Sequence, residues 1–107
     1  MNKKIFALIV FPLFLSACNT VPDPWEGVPR DSVNAWQSIG VAPIEAKEYV
    51  MNGFTPTDTK PWLQMGFKKT DETLKWHRAG FSPEQASKFI KEGYTLEKAL
   101  EIRKLVQ

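Results

Sequence analysis

Every glycine of this 107-residue chain stands on one ladder: Gly27, Gly40, Gly53, Gly66, Gly80 and Gly93, in steps of 13, 13, 13, 14 and 13. The residue after each glycine is apolar: Val28, Val41, Phe54, Phe67, Phe81 and Tyr94. Nine places after the glycine comes a bulky side chain, Trp36, Tyr49, Trp62, Phe89 or Ile102, with Trp76 one place later in the unit that carries an insertion. Six places after it the side chain is small or modest: Val33, Ala46, Thr59, Ala86 and Ala99, with Thr73 in the inserted unit. The unit reads Gly-aromatic-Ser/Thr-Pro-Glu-x-Ala-x-x-aromatic-x-x-x. An internal period of this kind signals a stack of small supersecondary units.

Each unit spells one short helix. In the clearest copy Ser82 is placed as N-cap, Pro83 takes the first helical position where its missing N–H costs nothing, and Gln85 completes a capping box. Ala86, Phe89 and Ile90 follow at i, i+3, i+4 spacing as an apolar stripe. Gly93 then supplies a left-handed stop, and Tyr94 can fold back on the last turn as in a Schellman motif. Thr95, Thr55 with Pro56 and, more weakly, Ala42 with Pro43 repeat the start signal. Helices of eight or nine residues fall below the ~12 to 15 needed for persistence in water, so the units must stack. The expectation is an all-α domain over residues 27–107, tandem short-helix repeats in a small solenoid-like or compact arrangement. The bulky residue of one unit is expected to fill the space left by the small residue of a neighbour. Whether the succession coils into a right- or left-handed ramp or collapses into a compact bundle does not follow from the period.

Two units depart from the pattern. Pro61 would lie inside a helix begun at Thr55 and would remove a hydrogen bond at a cost of ~3 kcal/mol. That helix is therefore expected to start near Thr59 or Lys60, with residues 55–58 as an extended loop. The next unit carries an insertion within residues 68–71. Its cap is Lys69 by alignment or Thr70 by side-chain chemistry, and Thr70 is preferred.

The amino terminus reads as a targeting segment. Lys3 and Lys4 precede an uncharged apolar run over residues 5–15, too short for the ~20 residues of a spanning helix. The run ends in Leu15-Ser16-Ala17-Cys18, which closely resembles the lipobox of bacterial lipoproteins. The resemblance implies that residues 1–17 are a cleaved signal peptide and that Cys18 becomes the first mature residue. Its thiol would carry a diacylglyceryl group and its amine, in Gram-negative lipoproteins, a further acyl chain, enough to anchor stably. Asn19 stands where that family's inner-membrane retention signal has aspartate, which points to the outer membrane. Residues 18–26 then form the lipidated cysteine and a Pro-rich tether with Pro22 and Pro24, reaching about 25 Å in polyproline II.

Cleavage also changes the charge. The full chain has 14 Lys and Arg against 12 Asp and Glu; without Lys3 and Lys4 it has 12 against 12. A neutral mature chain offers no basic surface for nucleic acid.

Candidate sites are few. With one cysteine, Cys18, and one histidine, His77, there is no intramolecular disulfide and no His-rich metal site, and no catalytic residue, metal or cofactor is expected. His77 takes the place held by Val50, Leu63 and Ile90 in other units and reads as the flank of an apolar stripe. The aromatics Trp36, Tyr49, Trp62, Trp76 and Phe89 could stack sugar rings, but their helical spacing favours core packing. Lys88, Lys91, Glu92, Glu97, Lys98 and Glu101 mix signs as a solvated face. Trp25 lies outside any helix without a partner in the repeat, which makes it a candidate anchor for a partner or membrane interface. Because departures from local consistency tend to mark function, the stretch around Pro61 and the insertion supplies the other candidate contacts: Lys60, Gln64, Lys68 and Lys69.

The leading expectation is a non-catalytic protein-binding or scaffolding lipoprotein, membrane-held through Cys18, with an envelope protein as partner. A second rests on the tether, Cys18 then Pro22, Pro24, Trp25 and Gly27. It is similar to the Pro-rich extended segment of the small lipoproteins of type IV secretion core complexes, which implies an accessory subunit of a secretion or conjugation machine. A third is a peptidoglycan- or glycan-binding lipoprotein.

Overall fold

The computed structural model describes residues 21–107. The segment expected to be a signal peptide, Cys18 with the residues resembling a lipobox, and Asn19 lie outside the described residues. Within them a 3-10 turn (Arg30–Ser32) leads into α1 (Val33–Ser38), followed by α2 (Pro43–Met51), α3 (Pro56–Gln64), α4 (Thr70–Arg78), α5 (Pro83–Lys91) and α6 (Leu96–Val106), with no strand among the described residues. The described residues form an all-helical fold, with five helices of nearly equal length after a short first one.

The local signals act as the unit implies. Ser82 and Thr55 accept from the third residue of their helices, and Gln85 and Asp58 accept in return from the cap amide. Thr95 accepts from Lys98 N–H. Ala42 has no such acceptor, and only the return half is made, Ala42 N–H to the Glu45 carboxylate at 3.3 Å. At the other end, the N–H after each stop glycine donates to the carbonyl of the bulky residue five back: Val41 to Trp36, Phe54 to Tyr49, Phe67 to Trp62, Phe81 to Trp76, Tyr94 to Phe89. Each of these glycines donates to the carbonyl three back, which completes a Schellman motif in every copy. The six glycines have φ between 81° and 95°.

These stops aim the buried side chains. Ala46, Thr59, Thr73, Ala86 and Ala99, at the fourth place of their helices, are each 0% exposed. Trp36, Tyr49, Trp62 and Trp76 are buried with them, as are the residues after the glycines except Tyr94, which is 39% exposed at the α6 end.

The helices form two rows. Tyr49 Oη of α2 donates to Thr73 Oγ1 of α4 at 3.2 Å, so the aromatic place of one unit meets the small place of the next but one. From α4, Arg78 donates to Asn52 Oδ1 at the end of α2, at 2.7 Å. From α6, Arg103 donates to the Ala79 carbonyl at the end of α4, at 2.8 Å, and its guanidinium lies 4.5 Å from the Phe81 ring centroid. Both arginines put positive charge where the helix dipole is negative. The odd helices line the opposite row: α1 and α3 share one groove, and α3 and α5 share the walls of a larger cleft.

Three expectations are corrected. Helix α3 starts at Pro56, not near Thr59 or Lys60, and carries Pro61 in its interior. Residues 55–58 are the capping box and first turn, not an extended loop. The proline removes only the bond to the Thr57 carbonyl, which belongs to an exposed residue that water can reach. Against that one bond stand a full capping box and the burial of Thr59 and Trp62, both of which need this register. Helix α4 takes Lys69 as N-cap rather than Thr70, which is the first helical residue and 6% exposed. No side chain caps α4, and the Lys69 carbonyl accepts from the Glu72 and Thr73 N–H groups.

The third correction concerns the tether. Residues 24–27 are a turn, closed by Glu26 N–H to Asp23 O and Val28 N–H to Trp25 O. Asp23 Oδ1 accepts from Trp25 N–H at 3.0 Å and its other oxygen pairs with Arg30. Trp25 is half-buried and packs against the core. The chain is already folded onto the domain at Asp23, which shortens the extended segment.

Candidate functional site

Pro61 and the insertion were the reason for singling out Lys60, Gln64, Lys68 and Lys69; the helix across Pro61 is regular, and only the insertion still departs from the rule. The fold nevertheless brings three of the four together. Leu63, half-buried on α3, lies between two grooves of about 300 Å³ each. Lys60 and Gln64 rim one with Ser38 and Ile39 from the end of α1. Lys68 rims the other with Gly40, Val41, Glu45 and Tyr49. All four candidate residues are exposed. Lys69 does not line either groove; it is the cap of α4. Trp25 lies apart, in a hollow of about 530 Å³ bounded by Val21, Pro22, Asp23 and Arg30.

The Leu63 face combines a half-buried aliphatic floor, from Leu63 and Ile39, with ammonium groups on long stems at its edge. Apolar floor and charged rim are what a small protein-binding patch requires. Lys60 and Lys68 would receive carboxylates from a partner, and Gln64 can both donate and accept.

A further concavity, of about 460 Å³, lies between the ends of α2 and α4 and the starts of α3 and α5. His77 borders it, exposed, its ring 4.7 Å from that of Phe54 in an edge contact and 6.3 Å from that of Trp62. The histidine thus flanks the apolar stripe. The polar groups beside it are engaged: Asp58 accepts from Thr55 N–H and Oγ1, and Asn52 accepts from Arg78. Among the described residues no group of three His, Cys, Asp or Glu side chains stands close enough to hold a metal ion.

The aromatic series is used inside the domain. Trp36 and Tyr49 stack at 5.8 Å and 11°, while Trp62 with Phe67 and Trp76 with Phe81 meet edge-on at 5.0 and 5.3 Å. Trp36, Tyr49, Trp62 and Trp76 are at most 2% exposed, so these four rings have no face for a sugar. The charged face is as the residue pattern implies: Lys88, Lys91, Glu92, Glu97, Lys98 and Glu101 are exposed, with Lys98 and Glu101 paired at 3.3 Å. Their mutual contribution is small in water.

What sequence reasoning missed is Leu63, which carries no chemistry and which only the fold sets between Lys60, Gln64 and Lys68. Its equivalents Val50 and Ile90 offered a signal, since the place after the aromatic is apolar in three units. Comparison with protein-family models, curated proteins and solved structures finds no match for the chain, so the assignment of function rests on its own residues.

Proposed function

We propose that the protein is a lipid-anchored, non-catalytic binding or scaffolding lipoprotein of the cell envelope, held through Cys18 at a membrane, by preference the outer one. It presents the Leu63 face to an envelope protein. The observation that carries this reading is the division of labour among its side chains. Four of the five ladder aromatics, the caps and the buried threonines are committed to the repeat, whereas Lys60, Gln64 and Lys68 surround an accessible apolar floor without a structural task. Tandem helical units commonly serve as such surfaces. The resemblance at Leu15-Ser16-Ala17-Cys18 supplies the anchor.

The reading that places the Trp25 segment along a secretion-complex partner loses its main support, because Trp25 is packed against its own domain. The glycan reading loses four of its rings to burial.

The test is crosslinking in intact cells. Wild-type protein should give a discrete adduct with an envelope protein, and Lys60→Glu combined with Lys68→Glu should abolish it with the helical circular dichroism unchanged. Lys69→Glu alone should leave it largely intact. An adduct indifferent to Lys60 and Lys68 would place the partner elsewhere and refute the assignment of this face.

A further inference from the structure

One helix breaks the repeat on its outer side. At the second helical place α3, α4, α5 and α6 have Thr57, Asp71, Glu84 and Glu97, and at the ninth Gln64, Arg78, Lys91 and Lys104. In α2 those two places hold Ile44 and Met51, 77% and 83% exposed. Seven residues apart, they lie on one line along the helix, on the side away from the buried Ala46 and Tyr49. Lys47 and Glu48 each stand three or four residues from both, so they flank the line on either side, Lys47 half-buried and Glu48 exposed. Ile44 and Met51, with the stem of Lys47 beside them, form a ridge that nothing in the stacking of the repeat requires.

That ridge lies beside the entry of the chain. A Cβ at Gly27 would stand 4.0 Å from Lys47 Cγ, so the turn of residues 24–27 lies against this flank of α2. From there only a few residues run back to Val21, itself 79% exposed, and three covalent steps of at most ~3.6 Å separate Val21 from Cys18. A chain anchored at Cys18 therefore holds the α2 flank close to whatever the acyl groups enter. Among the described residues no other helix combines exposed aliphatic side chains at these places with a contact to this turn.

We infer that the outer line of α2, Ile44 and Met51 with Lys47 beside them, is a membrane-docking face that dips into the interfacial layer of the bilayer holding the Cys18 lipid. This rests on the lipoprotein reading. The occupant is the lipid surface and not a protein, because the ridge is narrow and lacks a groove, while the anchor keeps a bilayer at hand. The charges around it are mixed, Lys47 and Arg30 against Asp23, Glu26 and Glu48, with no basic cluster to draw anionic lipid, so insertion is apolar in origin and insensitive to salt in a zwitterionic bilayer. Docking there would fix the orientation of the rows, which a lipid anchor by itself leaves free. Lys47 can extend its stem along the surface toward phosphates.

The experiment uses the full chain purified from membranes, carrying Met51→Cys and labelled with a thiol-reactive environment-sensitive dye. It is reconstituted in phosphatidylcholine vesicles with and without nitroxide-bearing acyl chains. A lipidated Cys18 has no free thiol, so one dye per chain is incorporated; two would show Cys18 free and would end the lipoprotein reading, and this inference with it. With one dye, the expected result is loss of most of the emission at position 51 in nitroxide vesicles, equally at low and high salt. The same dye at the equivalent place of α6, through Lys104→Cys, should keep its emission. Adding Ile44→Glu to the position-51 chain should restore most of the emission with lipidation unchanged. One dye per chain with no quenching at position 51, including the case in which the probe is shielded by a second copy or another protein, would overturn the docking face while leaving the anchor standing.

Discussion

The Tyr49 hydroxyl donates to Thr73 Oγ1 at 3.2 Å in the buried seam between α2 and α4, joining side chains 24 residues apart. Thr73 Oγ1 in turn lies 3.4 Å from the Lys69 carbonyl, a long contact that orients it. This is the buried polar link of the seam, whose exposed edge is closed by Arg78 on Asn52, and it ties a unit to the next but one.

The two partners of this bond should be energetically coupled. Tyr49→Phe deletes the donor and should destabilise by about 1 kcal/mol, whereas Thr73→Val buries an unsatisfied phenol and should cost ~1–3 kcal/mol. The double variant should cost less than the sum of the two. Urea unfolding of the four proteins measures the coupling, and strict additivity would mean that the bond contributes nothing.

Gly80 and Gly66 separate backbone strain from contact. Both have positive φ, so alanine at either should cost about 1 kcal/mol. At Gly66 the new Cβ would meet nothing within 4 Å, but at Gly80 it would stand 3.2 Å from Arg103 Nη1. Moving that side chain weakens its bond to the Ala79 carbonyl and its stacking over Phe81. Gly80→Ala should therefore cost roughly 1 kcal/mol more than Gly66→Ala, and in an Arg103→Ala background the difference should vanish.

Pro61→Ala should stabilise the domain by roughly 1–3 kcal/mol, because alanine restores an amide that can donate to the Thr57 carbonyl inside α3. Were Pro61 in the first turn the change would be close to neutral. Thermal unfolding distinguishes the two.

The N-terminal turn should loosen in acid. Trp25 N–H, and then Arg30, hold the Asp23 carboxyl below the usual carboxylate range. A group with its pKa lowered by folding contributes stability above its unfolded value, about 4, and loses it as pH falls through the lowered one. Fluorine NMR of labelled Trp25 should report a more solvated indole below about pH 4. Asp23→Ala should show that environment at neutral pH, and a Trp25 signal unchanged by acid would contradict the role given to Asp23.

Cys18→Ser should remove both fatty-acid labelling and membrane fractionation. Unchanged label and sedimentation in that variant would refute the anchor.

The ladder of glycines, with a cap after it and an aromatic nine places on, determined from sequence where the later helices stop and which side chains turn inward. The reason is that N-caps and Schellman stops are closed by bonds spanning three to five residues, so their information is local. Ser82 with Gln85, and Gly93 with Tyr94, are legible without any knowledge of the rest. Where local signals competed, the long-range term prevailed: Pro61 argues against a helix through it, yet burial of Thr59 and Trp62 holds α3 in that register. At α4 the hydroxyl of Thr70 suggested a cap, and burial made it a core-side residue. Which unit packs on which was not in the period, since every unit carries the same small and bulky places. Tyr49 on Thr73, Arg78 on Asn52 and Arg103 on Ala79 are contacts across 24 to 26 residues, set by the angle each Schellman turn imposes and by packing in three dimensions. The same step folded Trp25 onto the core and gathered Lys60, Gln64 and Lys68 around Leu63, because only a second row of helices can bring the end of α1 against the end of α3.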